Sequence, residues 1–174
     1  MKFKKVILLI FFYLISINQN LYAETPYFLD FKFILNESVA GKKAQSFLKN
    51  KLEKGAKNIQ NKQKKLQEEE NKLIQKKKII SAEEYKKKVT DLRSRVASLQ
   101  NERSKLLDDI AKKRSKARTK LLKNLNPIIK EYMKSKKIRM VVDKKSILLA
   151  DENLDITKEI TDLLNKKLKS INLK

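Results

Sequence analysis

Apolar residues recur along this chain at two periods, and the change between them marks out its elements. From about Lys42, Leu52, Ile59, Leu66, Leu73 and Ile80 return every seven residues, the spacing of a coiled-coil seam on an α-helix. The companion positions Leu48, Gly55, Lys62, Glu69 and Lys76 hold one large apolar side chain, so this helix carries a thin seam. The pattern breaks over residues 76–84, where Ser81 followed by Glu84 matches a capping box and predicts a new helix. Its stripe is Tyr85, Val89, Leu92, Val96, Leu99, Arg103, Leu106, Ile110, Lys113 and Ala117, at alternating four- and three-residue spacing, and only Arg103 and Lys113 interrupt it. A short link between two such helices makes them run antiparallel, which predicts a hairpin with its tip at 79–82. One continuous rod associating in parallel with other copies is the alternative.

At ~1.5 Å per residue the ascending helix, 42–79, spans ~57 Å and the descending one, 82–137, ~84 Å, so the second overshoots and must enter whatever holds the arm. Pro127 within it predicts a kink. Outside the hairpin the period drops to two. Residues 27–31, 138–143 and 146–150 read as short strands, with Lys144 and Lys145 as the turn between the last two. A loop over 151–155 then leads to a final amphipathic helix with Asp155 or Thr157 as its N-cap and Ile156, Ile160, Leu163, Leu164, Lys167, Leu168 and Ile171 along its stripe.

The pattern therefore predicts an α+β, mostly α chain: a coiled-coil hairpin arm, 42–137, on a small β-rich body made of 24–41 and 138–174. Tyr27, Leu29, Phe31, Met140, Val142, Ile147 and Leu149 are the candidate body residues. So small a body, with open strand edges, is marginal alone, which predicts association of bodies in a closed ring of two or three copies.

Composition narrows the chemistry. The chain has no His and no Cys, which excludes imidazole acid/base relays, thiol nucleophiles and disulfides, and its two Gly exclude a glycine-rich phosphate loop. No cofactor or metal and no enzymatic constellation is expected. Lys+Arg number 43 against 20 Asp+Glu. The hairpin holds 31 of the basic and 11 of the acidic side chains, so it carries most of the surplus. Lys76, Lys77, Lys78, Lys86, Lys87 and Lys88 gather at the tip and are candidates for contact with an anionic surface; the plainer reading is a solvated helix face.

Residues 1–23 read as a secretory signal peptide, with Lys2, Lys4 and Lys5 before an apolar run, 6–17, and a cut after Ala23. The run is short for an uncleaved membrane anchor. Export replaces nucleic acid by envelope lipids, lipopolysaccharide or proteins as the partners of a basic chain.

Two segments resemble the Skp/OmpH family of periplasmic chaperones. One is Phe33-Ile-Leu-Asn-Glu-Ser-Val-Ala-Gly-Lys42 leading into the hairpin. The other runs from Ile138-Arg-Met-Val-Val-Asp143 through Ser146-Ile-Leu-Leu-Ala150 to Leu154-Asp-Ile-Thr-Lys-Glu-Ile160. The resemblance implies a homotrimer with three tentacle-like hairpins around a cavity, holding unfolded outer-membrane proteins without ATP, and an association with lipopolysaccharide or anionic phospholipid. Client contacts are then expected from arm residues such as Leu52, Ile59, Leu66, Leu73, Tyr85 and Val89, for which packing within the arm is the plainer role.

Overall fold

The computed structural model describes residues 25–173, so the segment read as a signal peptide lies outside the described residues. Strand β1 (Tyr27–Leu29) leads into helix α1 (Phe31–Glu37), helix α2 (Val39–Lys76) and helix α3 (Ala82–Lys136). Strand β2 (Val141–Asp143), two 3₁₀ turns (Lys144–Ser146 and Glu152–Leu154) and helix α4 (Thr157–Lys167) follow.

Each helix start has a local cause. Asp30 accepts from the Phe33 amide at 2.8 Å and begins α1. Ser38 accepts from the Gly41 amide at 3.2 Å and begins α2. Ser81 accepts from the Glu84 amide at 3.2 Å and begins α3, as the capping box predicts, while the Glu84 carboxylate turns to Lys88 at 2.8 Å. The α1–α2 corner requires glycine: a Cβ on Gly41 would stand 2.1 Å from the Leu35 carbonyl oxygen. Lys137, at φ 57°, ends α3 in the left-handed region, and the Ile138 amide donates back to the Met133 carbonyl at 2.8 Å.

α2 and α3 form the antiparallel hairpin. Moving up α2 from Lys51 to Lys62 to Glu69, their ion-pair partners move down α3 from Asp109 to Glu102 to Arg95. α3 continues through Pro127 and enters the body, where Leu121, Leu125, Ile128 and Ile129 pack with Leu29, Ile34, Ala40, Ile156, Ile160 and Leu164. The overshoot anticipated from the helix lengths is therefore the central post of the core.

The body has less strand than the alternation predicts. β1 and β2 pair in parallel, Tyr27 opposite Val141 and Leu29 opposite Asp143, so the whole hairpin is the crossover between them. On its other side β1 meets Asp155 in a single parallel bridge. Phe31, placed in a strand by its alternation, is instead the first residue of α1, because the Asp30 cap turns the chain one residue earlier. The predicted strand 146–150 is absent. Asp143 accepts from the Lys145 amide at 3.3 Å and starts a 3₁₀ turn, and the residues beyond it find no strand within the chain. Leu148 and Leu149 stand 95% and 90% exposed.

The start of α4 is built by Asp155, from the position before the cap residue Ile156. Asp155 Oδ1 accepts from the Thr157 amide at 2.9 Å and from the Thr157 hydroxyl, and Oδ2 accepts from Lys144 at 2.8 Å. Thr157 Oγ1 in turn accepts from the Asp30 amide at 2.8 Å. Burial pushes the Asp155 carboxyl up, but the hydrogen bonds from Lys144 and Thr157 outweigh it and hold the group below the ordinary carboxylate range.

Candidate functional site

The hairpin seam is closed at its root and open toward its tip, and side-chain size decides where the change falls. At the root Ala44 and Leu48 of α2 meet Ile110 and Ala117 of α3. One step further out Gly55 receives Leu106, whose methyls would lie 2.5 and 2.7 Å from a Cβ there. The glycine that looks like a flaw in the heptad is thus the hole for a knob. Beyond it, Lys62, Glu69 and Lys76 at the companion positions leave nothing to fill the second side of the seam.

A groove of about 620 Å³ opens there. Ile59, Leu66, Leu73, Tyr85 and Val89, five of the six candidate arm residues, line it together, and Ile74 and Val96, 57% and 47% exposed, form its lips. Leu52, the sixth, packs at the root with Leu48 and Leu106 instead. Leu66 and Leu73 are buried against α3 while the other three are half-buried, so the groove floor is apolar and accessible. Arg93 and Arg103, the carboxylate of Glu70 and the amides Gln63, Gln67 and Gln100 give it a polar border with two cations to one anion.

Ion pairs hold the helices together across this thin region. Arg95 grips Glu69 with two guanidinium contacts of 2.5 and 2.9 Å, and Lys62 reaches Glu102 at 2.6 Å. The Arg95 hydrogen bond keeps the Glu69 carboxyl below its ordinary value, and the Lys51 hydrogen bond does the same for Asp109. Such exposed pairs, screened by solvent, contribute little each, so the distal arm is held more weakly than its root.

At the tip Lys76, Lys77, Lys78, Lys86, Lys87 and Lys88 are all exposed. Lys88 pairs with Glu84, and Lys77 lies 5.7 Å above the Tyr85 ring. The other four carry no ion pair among the described residues, which leaves a cationic cap over the open end of the groove.

In the body, Leu29 is fully buried in the chain's own core, and Tyr27 and Phe31 pack on its edge. Val142 and Ile147 are half-buried, whereas Met140 just before β2 and Leu148 and Leu149 after it are exposed. Sequence reasoning missed the end of the chain. After α4 the segment 168–173 turns back along the hairpin and seats Leu173, 3% exposed, against Ala44, Leu48, Ile110 and Ala117. Lys113 donates to the Leu173 carbonyl at 2.7 Å and Lys120 to the Asn172 carbonyl at 2.9 Å. Lys113 was visible as an interruption of the apolar stripe; what it served was not.

A long helical hairpin on a small mixed body, with an open apolar groove under a cationic tip, is the architecture of an arm-bearing protein. The family profile described as outer membrane protein (OmpH-like) matches residues 27–164, and the chain belongs to that family. Among solved structures it is similar to an OmpH-like protein of Caulobacter crescentus, provisionally designated an outer membrane chaperone. The TM-score is 0.79 at 19% identity over 85% of this chain and 89% of that one, a likeness of fold. No curated protein sequence matches the chain.

Proposed function

We propose that the chain is an ATP-independent holdase of the periplasm, exported by its N-terminal segment, that binds unfolded outer-membrane proteins and keeps them from aggregating. The observation that carries this reading is the accessible apolar groove along a long, weakly pinned, basic arm. Unfolded chains of any sequence expose apolar side chains and a polar backbone, and a surface that combines shallow apolar floor with mobile cations makes many weak contacts to both. Like-charged arms repel one another and hold a space open between them. The family's fold, the open edge of β2 and the exposed Met140, Leu148 and Leu149 that flank this strand in sequence support a homotrimer. Nothing in this mechanism calls for a catalytic residue, a cofactor or nucleic acid.

The test is turbidity after a urea-unfolded outer-membrane β-barrel protein is diluted into buffer with and without the chain lacking residues 1–23, at low and high salt and without nucleotide. Suppression near one oligomer per client that survives salt is the expected result; aggregation undiminished at every salt concentration refutes the reading. The tip lysines favour a second role, contact with lipopolysaccharide or anionic phospholipid. That binding depends on exposed charge and weakens steeply above physiological ionic strength, where the Debye length is already ~8 Å. Changing all six lysines to Gln is expected to abolish vesicle binding, and retention would remove the role from the tip.

A further inference from the structure

Two separate hydrophobic clusters meet where the arm enters the body, and the helices that run between them are thinly packed at the crossing. The body core takes Ala40 of α2 with Leu121 and Leu125 of α3, and the arm root takes Ala44 and Leu48 of α2 with Ile110 and Ala117 of α3. From one cluster to the other α2 therefore offers Ala40, Gly41 and Ala44 and α3 offers Ala117, all small. Large side chains reach this level from residues 168–173, which leave α4 outside both helix and strand. Leu168 packs on the body core and Leu173, 3% exposed, belongs to the arm root. Ile171 between them packs on both, and among the described residues it is the one hydrophobic side chain that does so.

Polar contacts fasten the same segment along α3. At the end of α4, Lys167 reaches Glu131 at 2.7 Å on the body side of the crossing. Beyond it, Lys120 donates to the Asn172 carbonyl at 2.9 Å and the half-buried Lys113 to the Leu173 carbonyl at 2.7 Å on the arm side. The stretch of α3 between these fastenings is the softest part of that helix. Pro127 takes one rung from its hydrogen-bond ladder, and the Asn124 side chain donates to the Lys120 carbonyl at 2.8 Å, a back-bond that favours bending. Leverage makes the crossing matter. From Ala44 to Lys76 α2 rises ~48 Å at ~1.5 Å per residue, so a swing of ~10° at the crossing carries the tip ~8 Å.

We propose that residues 168–173 are a strap that sets the angle of the arm on the body, and that detachment of the strap is the step that lets the arm swing outward around a bulkier client. This rests on the holdase reading and names what regulates the space it uses. Attached, the strap joins the two clusters into one rigid body; detached, it leaves a crossing packed by alanines and a helix softened just below it. Few contacts hold a short segment without secondary structure, so it opens at far less cost than the fold as a whole. A client that presses on the arm acts through the long lever, and repulsion between like-charged arms pushes the same way.

Ile171→Ser with Leu173→Ser releases the strap, and deletion of residues 170–174 is a second release. The chain contains no cysteine, so spin labels can be placed at Gln60→Cys on the arm and Glu159→Cys on the body, both exposed. Double electron–electron resonance on labelled chains co-assembled with excess unlabelled chain is expected to give one narrow distance with the strap intact. Either release should broaden the distribution about twofold or more at unchanged helicity. In an unlabelled chain the strap is locked by Leu173→Cys combined with Ala44→Cys or, separately, with Ala117→Cys. Affinities for two urea-unfolded, fluorescein-labelled barrel proteins, one of eight strands and one of sixteen, are then read by anisotropy. The oxidised lock is expected to weaken binding of the larger about fivefold and to leave the smaller within about twofold, and reductant to restore both. Distance distributions of equal width with the strap intact and released overturn the proposal, and so does a lock that fails to discriminate between the two clients; either result leaves the holdase standing. No affinity of the unaltered protein for either client overturns the holdase reading, and the width of the distance distribution then still decides whether the strap holds the arm.

Discussion

Two glycines of this chain sit in contacts that a methyl group would disturb, and the difference between those contacts separates structural from tolerated positions. At Gly41 the intruding Cβ meets backbone, the Leu35 carbonyl, at 2.1 Å, and the α1–α2 corner cannot yield without moving both helices. At Gly55 it meets the end of the Leu106 side chain, which can rotate. Gly41→Ala is expected to destabilise by about 2–3 kcal/mol or to prevent folding. In Gly55→Ala the gain in helix propensity, ~1 kcal/mol, offsets most of the local crowding. Urea denaturation followed by circular dichroism at 222 nm checks both, and equal losses would contradict the distinction.

Asp155 is the other residue on which much depends, because one carboxylate joins the α4 start, Lys144 and, through Thr157, the α1 cap. Its folded pKa is depressed, so its contribution is complete above the unfolded value of ~3.9 and disappears as pH falls through the folded one. Asp155→Asn should cost about 1–2 kcal/mol at neutral pH, with the difference from the parent chain shrinking as pH falls below the ordinary carboxylate range and through the folded pKa. A gap that stays constant however far the pH is lowered while the protein remains folded would mean that the charge is not what matters.

At the scale of elements, local signals and their partners lie close together in the chain wherever the sequence was informative. The heptad, the Ser81 cap and the amphipathic pattern of α4 need only neighbours within a turn or two, and all three stand in the structure. Five of the arm residues singled out by period, Ile59, Leu66, Leu73, Tyr85 and Val89, line the groove together because a seven-residue repeat fixes which side of each helix turns inward. The pairing of β1 with β2 and the return of Leu173 to the hairpin root join residues more than a hundred and about sixty positions apart, and no period records them. The end of α3 shows a local preference overridden: Lys137 takes a left-handed conformation that favours glycine. Lys137→Gly is therefore expected to raise stability by about 0.5–1 kcal/mol, and Ser81→Ala to lower it by about 1 kcal/mol, both read as shifts in the urea midpoint. A Ser81→Ala effect larger than the Lys137→Gly one is consistent with a cap that also sets where the hairpin turns.

At the scale of the whole molecule, the strand expected at 146–150 is the most informative disagreement. Its apolar run Ile147-Leu148-Leu149, with Ile147 half-buried and both leucines exposed, is that of a strand with something to pack against, yet the described residues offer it no partner. β1 has neighbours on both sides, whereas the outer edge of β2 has none among the described residues. Two adjacent leucines at least nine-tenths exposed, in the segment that follows a strand with an open edge, cost solvation energy that a monomer has no reason to carry. The balance changes if the same segment of a second copy completes the sheet, because burying both leucines returns about 1.5–3 kcal/mol each, repeated at every junction of a closed ring. Leu148→Glu with Leu149→Glu should then produce a monomer by sedimentation equilibrium, with circular dichroism still showing the full helical arm, since neither side chain touches the hairpin. The monomer should also lose most of its ability to suppress aggregation, because a single arm encloses nothing. If the double variant stays oligomeric, the bodies associate through another face; if it turns monomeric yet protects a client as well as the parent does, protection belongs to the individual seam and not to the space between arms.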